Sequence, residues 1–187
     1  MEGMQVFSDV QGYPVFQEDN IEIFLTFKSP QKIAQATLAG FGQTIIISMD
    51  TFCKELDDSL EFLPISLEDI SRFYDVLTHK KNSCQHIKIL ICTGPVNRIQ
   101  FGTVFLIGCY MLIRGKGLNE VQSALCPFDD IMSGFDCNGM SHKDFWSAFY
   151  RAQRNKWVSF YEPDGDTEFP SSTSIEIEEY AHYARYW

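Results

Sequence analysis

Apolar positions along the chain fall into two periods. Short runs rich in β-branched and aromatic residues read as strands: Ile21-Glu-Ile-Phe-Leu-Thr-Phe27, Thr44-Ile-Ile-Ile-Ser-Met49 and His86-Ile-Lys-Ile-Leu-Ile91. Elsewhere the apolar residues recur at helical spacing. Leu67, Ile70, Phe73, Tyr74 and Leu77 predict one helix, which Ser66 caps and whose first turn carries Glu68 and Asp69. The run Ile99–Ile113 predicts a buried helix beginning at Arg98. At 15 residues, broken by Gln100, Thr103 and two glycines, it is short for a membrane span.

Gly115-Lys-Gly117 ends that helix, and Asn119 is the expected cap of a short helix to Leu125. Residues 126–140 read as a glycine-bearing loop. Ser141-His-Lys-Asp144 opens a further helix with Phe145, Trp146, Phe149 and Tyr150 on its apolar face, ended by Asn155. A short helix is expected over Gln31–Leu38, loops at Lys80-Lys-Asn82 and 162–174, an acidic irregular stretch over 50–65, and a terminal helix over Glu176–Trp187. Residues 1–20, with Gly12 and Pro14, are expected to be loosely held. Strands and helices alternate around a central strand-loop-helix. That order predicts an α/β fold of three layers, with a mostly parallel central sheet flanked by helices.

Composition narrows the function classes. Of 187 residues, 45% are hydrophobic and 14% aromatic, enough for one domain with a substantial core. A net charge of −10 argues against nonspecific nucleic-acid and anionic-membrane binding; it is compatible with a basic protein or phosphopeptide partner, and also with solubility alone. The six cysteines form no Cys-x-x-Cys pair, and none of the four histidines has zinc-finger spacing. No metal or cofactor is expected, and free cysteines suit a reducing compartment. Met1-Glu2-Gly3-Met4-Gln5 lacks the basic and apolar regions of a secretory signal, so an intracellular location is expected, in cytoplasm or nucleus.

The candidate chemistry lies after the central strand, in Cys92-Thr-Gly-Pro-Val-Asn-Arg98. Cys-x5-Arg is the minimal signature of cysteine-dependent phosphatases. It needs a thiolate at a strand end, over a helix N-terminus, with an arginine fork for phosphate. With six Cys and six Arg in the chain, about 0.2 such matches arise by chance, so placement carries more weight than the motif. In this reading Cys92 is the nucleophile, and Thr93, Gly94, Asn97 and Arg98 bind phosphate. Active loops read His-Cys-x-x-Gly-x-x-Arg-Ser/Thr. Here Ile91 replaces the histidine, Pro95 the glycine and Ile99 the hydroxyl. Proline also removes one N–H from a loop whose task is to donate N–H groups.

From about Phe24 onward the chain resembles the N-terminal, non-catalytic domain of the cell-division-cycle-fourteen dual-specificity phosphatases. Phe105-Leu-Ile-Gly-Cys-Tyr110 is similar to the family's F-L-I-G-A-Y, and Pro127-Phe-Asp-Asp130 to its P-F-R-D. Glu61-Phe-Leu-Pro-Ile-Ser-Leu67 looks like D-F-G-P-L-N-L, and Glu179-Tyr-Ala-His-Tyr-Ala184 like E-Y-E-H-Y-E. The resemblance implies a dual-specificity-phosphatase-like fold over 21–175 and the start of an interdomain joining helix over 176–187. Such phosphatases pair this domain with a separate catalytic domain and act on phosphoserine-proline sites followed by a basic residue. Their settings are mitotic exit, cytokinesis, the centrosome and the cilium.

The resemblance also assigns residues. The family's non-catalytic domain has Tyr at the place of Cys92, which makes the cysteine drift or a relic. Glu61 matches an Asp on a loop comparable to that of the general acid in active phosphatases; the alternative is an exposed loop acid. Asp130 matches a loop-fixing acceptor. Ala181 and Ala184 replace the glutamates that select basic substrate residues. Glu178, Glu179, Tyr180, Tyr183 and Trp187 then remain for docking a protein or phosphoprotein partner, with Asp164 and Asp166 as further acids. His142 and His182 have no identifiable role. Three readings follow: a non-catalytic docking module, a weak phosphatase using Cys92, Arg98 and Glu61, and a fragment of a two-domain phosphatase.

Overall fold

The computed structural model describes residues 5–7, 10–18, 20–28, 33, 44–52, 65–81, 87–133, 140–158 and 160. Its strands are β1 (Gln5–Phe7), β2 (Val10–Glu18), β3 (Ile21–Thr26), β4 (Thr44–Ser48) and β5 (Ile87–Cys92). Its helices are α1 (Met49–Phe52), α2 (Leu67–Lys81), α3 (Asn97–Ile113), α4 (Leu118–Leu125), α5 (Asp129–Ser133) and α6 (His142–Arg154), with a 3-10 turn over Cys126–Phe128. Together they make an α/β fold, a mixed sheet flanked by helices.

β5 lies between β3 and β4 and runs parallel to both, with Ile21 opposite Ile87 and Ser48 opposite Cys92. Paired on both edges and covered on both faces, it reads as almost continuous apolar sequence. Its side chains alternate between two cores. Ile87, Ile89 and Ile91 join Ile21, Ile23 and Leu25 in the main core, and Leu90 and Cys92 join Phe24 and Ile33 on the other face. Each buried isoleucine contributes about 2 kcal/mol by removal from water.

The sheet is not mostly parallel. β2 pairs antiparallel with β3, and β1 antiparallel with the start of β2. The expectation of a loosely held N-terminal segment therefore fails for Val10–Glu18. Val15 and Phe16 are buried in the main core. Gly12 and Pro14 do not break the strand, because Pro14 lies beyond the β1 pairing and at a register shift between Pro14 and Phe16. A missing N–H is tolerated at such an irregularity.

α3 is the hub of the helical layer. Eleven of its residues are buried, and all other described helices contact it, which accounts for its apolar sequence on every face. α6 crosses it where Gly108 leaves room for Trp146, whose indole N–H donates to the Phe105 carbonyl at 3.2 Å. Arg114, just past α3, donates to Glu18 of β2 from Nη2 at 2.7 Å and from Nε at 3.2 Å, tying the helix end to the sheet.

Two local expectations need correction. α4 starts two residues earlier than an Asn119 cap implies, with Gly117 as the cap, whose N–H donates to Glu120 Oε2 at 2.7 Å. Residues 126–133, expected as loop, form the 3-10 turn and α5, seated by buried Phe128 and Met132. The Ser141 start of α6 holds: Ser141 Oγ accepts from the Asp144 N–H at 3.3 Å while Asp144 Oδ2 accepts from the Ser141 N–H at 2.8 Å. The short helix over Gln31–Leu38, the loop over 162–174 and the terminal helix lie outside the described residues, apart from Ile33 in the second core.

Candidate functional site

The loop between β5 and α3 is built by the register of its strand. Because β4 and β5 run parallel with Ser48 opposite Cys92, the chain continues side by side past both strand ends. Two residues on, Asp50 of α1 faces Gly94 of the loop. The Gly94 N–H donates to both carboxylate oxygens of Asp50, each at 3.0 Å. A Cβ at position 94 would sit 3.1 Å from Asp50 Oδ2, so glycine permits this approach.

Neighbouring groups are also engaged. The Thr93 N–H donates to the Thr26 carbonyl at 3.2 Å, extending the β3 pairing by one step. The Thr93 hydroxyl donates to the Gly94 carbonyl at 3.3 Å, and Gln100 Nε2 donates to the same oxygen at 3.0 Å. Val96 caps α3 in an extended conformation, its carbonyl accepting from the Ile99 and Gln100 N–H groups. Pro95, which has no N–H, and Val96 are exposed at the tip.

Cys92 does not face this loop as a nucleophile must. As the last residue of β5 it points into the second core and is fully buried, with Phe24, Leu90 and Ile33 around it. Its thiol donates to the Ile47 carbonyl at 3.3 Å. Burial, and next the Asp50 carboxylate, push its pKa up to about 11. At neutral pH a group of that pKa is thiolate in about 10⁻⁴ of molecules. Phosphatase chemistry asks for the opposite arrangement, an accessible thiolate stabilised by surrounding donors.

The other predicted phosphate ligands are dispersed in role. Thr93 is buried with its N–H and hydroxyl both donating inside the protein. Gly94 serves Asp50. Asn97 is exposed and Arg98 partly buried in the first turn of α3. Glu61, Glu178, Glu179, Tyr180, Tyr183 and Trp187 lie outside the described residues.

Two further acids stand close to polar groups, and sequence reasoning assigned neither of them a task. Asp50 falls at the start of the stretch expected to be irregular, but lies in α1, and the parallel pairing of the preceding β4 with β5 is the signal that finds it. Asp129 of α5 lies beside the start of α6, its carboxylate 3.3 Å from His142 Nε2 and 3.6 Å from Lys143 Nζ. His142 is buried edge-on to Trp146, with ring centroids 5.2 Å apart.

Among the described residues no group of three or more His, Cys, Asp or Glu could hold a metal ion, and no helix is long and apolar enough to cross a membrane. Compared with known protein families and with curated protein sequences, the chain matches none.

Proposed function

We propose that this chain is a non-catalytic, phosphatase-like docking domain. It is similar in role to the N-terminal half of a cell-division-cycle-fourteen dual-specificity phosphatase and binds a basic protein or phosphoprotein partner. One observation carries the non-catalytic half of this reading: the Cys92 thiol is fully buried, donates to a backbone carbonyl and is held protonated. Pro95 and Ile99 support it, since the first supplies no N–H and the second no hydroxyl to assist the leaving thiolate. The docking half rests on the four family-like motifs, on the net charge of −10, and on Glu178, Glu179, Tyr180, Tyr183 and Trp187 as the contact residues.

Hydrolysis of an aryl phosphate by wild type and by Cys92→Ser, from about pH 5 to pH 7, tests the reading where phosphatase thiolates work. Equal background rates are expected. A wild-type rate abolished by the substitution would make the chain an enzyme and overturn the proposal.

A further inference from the structure

We propose that the Asp50 carboxylate is an internal occupant of the 92–98 loop, an autoinhibitory contact that keeps phosphate out of it. The inference rests on the reading of this domain as phosphatase-like and non-catalytic. It adds a cause: the loop is closed by a residue of the chain itself.

Three observations converge on Asp50. Its two oxygens share the Gly94 N–H, the backbone donor that a phosphate oxygen would use in a loop of this kind. The approach is tight enough that even a methyl group at position 94 would crowd it. The backbone that carries the carboxylate is also placed by regular structure. β4 carries it to the site in fixed register with β5, and α1 begins at the residue before it. A carboxylate so placed satisfies the donor and repels a second anion. The Thr93 and Gly94 N–H groups of the loop both have acceptors within the chain.

Removing the charge should open the site. Asp50→Ala removes both the charge and the acceptor, whereas Asp50→Asn keeps an acceptor of the same shape without the charge. The readout is the Gly94 amide resonance of the full chain, followed while inorganic phosphate is added. In wild type, millimolar phosphate should leave it unmoved. In Asp50→Ala it should shift saturably, with affinity raised roughly tenfold or more by loss of the like charge. Asp50→Asn should fall between the two, and its near-identical shape keeps the test valid if the alanine variant unfolds. Saturable binding by wild type with the affinity of the variants would overturn the proposal, as would variants that fold and do not bind. Neither result depends on turnover, so a failure of the non-catalytic reading would appear separately, as wild-type hydrolysis.

Discussion

Gly108 is the position where the packing is most directly falsifiable. It lies in Phe105-Leu-Ile-Gly-Cys-Tyr110, in the middle of α3, where alanine is the better helix former by about 1 kcal/mol. Propensity alone therefore makes Gly108→Ala stabilising. Packing says otherwise. A Cβ here would lie 2.4 Å from both Cε2 and Nε1 of Trp146 and 2.6 Å from its Cζ2. Real Cβ contacts are not that short, so the indole or the whole of α6 must move. Trp146 has little room, being 1% exposed and hydrogen-bonded to the Phe105 carbonyl. Overpacking of this kind costs about 1–3 kcal/mol, and loss of the indole hydrogen bond about 1 kcal/mol more. Less the helix gain, the net destabilisation is about 1–3 kcal/mol. With a urea slope of roughly 2–3 kcal/mol/M, the unfolding midpoint should fall by about 0.3–1.5 M. In a Trp146→Phe background, which removes the clashing indole atoms, the cost of Gly108→Ala should shrink by about 1 kcal/mol. A midpoint that rises, or a cost unchanged by Trp146→Phe, would refute the packing argument.

Two further outcomes follow from polar contacts. Glu18→Ala should cost about 2 kcal/mol in urea unfolding, because Arg114, only 14% exposed, loses the carboxylate that takes two of its N–H groups; a cost below about 0.5 kcal/mol would place the pair among ordinary surface ion pairs. Burial beside Trp146 lowers the pKa of His142 below its ordinary 6.5, with Lys143 adding to the shift and Asp129 and Asp144 opposing it. The unfolded chain then binds a proton at a higher pH than the folded one, so this contribution is complete above pH 6.5 and is lost as pH falls toward the folded pKa. The stability difference between wild type and His142→Gln should therefore shrink between about pH 7.5 and pH 5, and a constant difference would rule the coupling out.

The legible parts of this fold were those with strong local signals. β3, β4, β5, α2, α3 and α6 fall within a residue or two of their sequence expectations, because β-branched runs, an apolar helix and Ser-x-x-Asp caps are encoded locally. β2 was not legible, because Gly12 and Pro14 look like breakers until the strand is known to be irregular at Pro14. α5 was hidden for a related reason, its five residues being too few to show a period. The site divides in the same way. Cys-x5-Arg after a strand is visible in one dimension. The burial of Cys92 depends on which face of β5 it occupies, and the Asp50–Gly94 contact on a pairing between strands more than forty residues apart. Conversely, the glycine of the family-like motif in α3 has a packing reason that no motif comparison supplies.

The loop's departures from a working phosphatase are physically linked. Asp50 satisfies the Gly94 donor and, by the same charge, helps to hold the Cys92 thiol protonated. Removing Asp50 would leave the other departures in place. Desolvation is the larger cause of the raised thiol pKa, and it comes from the second core, which Asp50→Asn leaves in place. Pro95 would still lack its N–H, and Ile99 would still offer no hydroxyl. Phosphate binding and phosphate hydrolysis should therefore part under test: Asp50→Ala is expected to free the Gly94 donor, while catalysis would need the thiol turned out of the core as well.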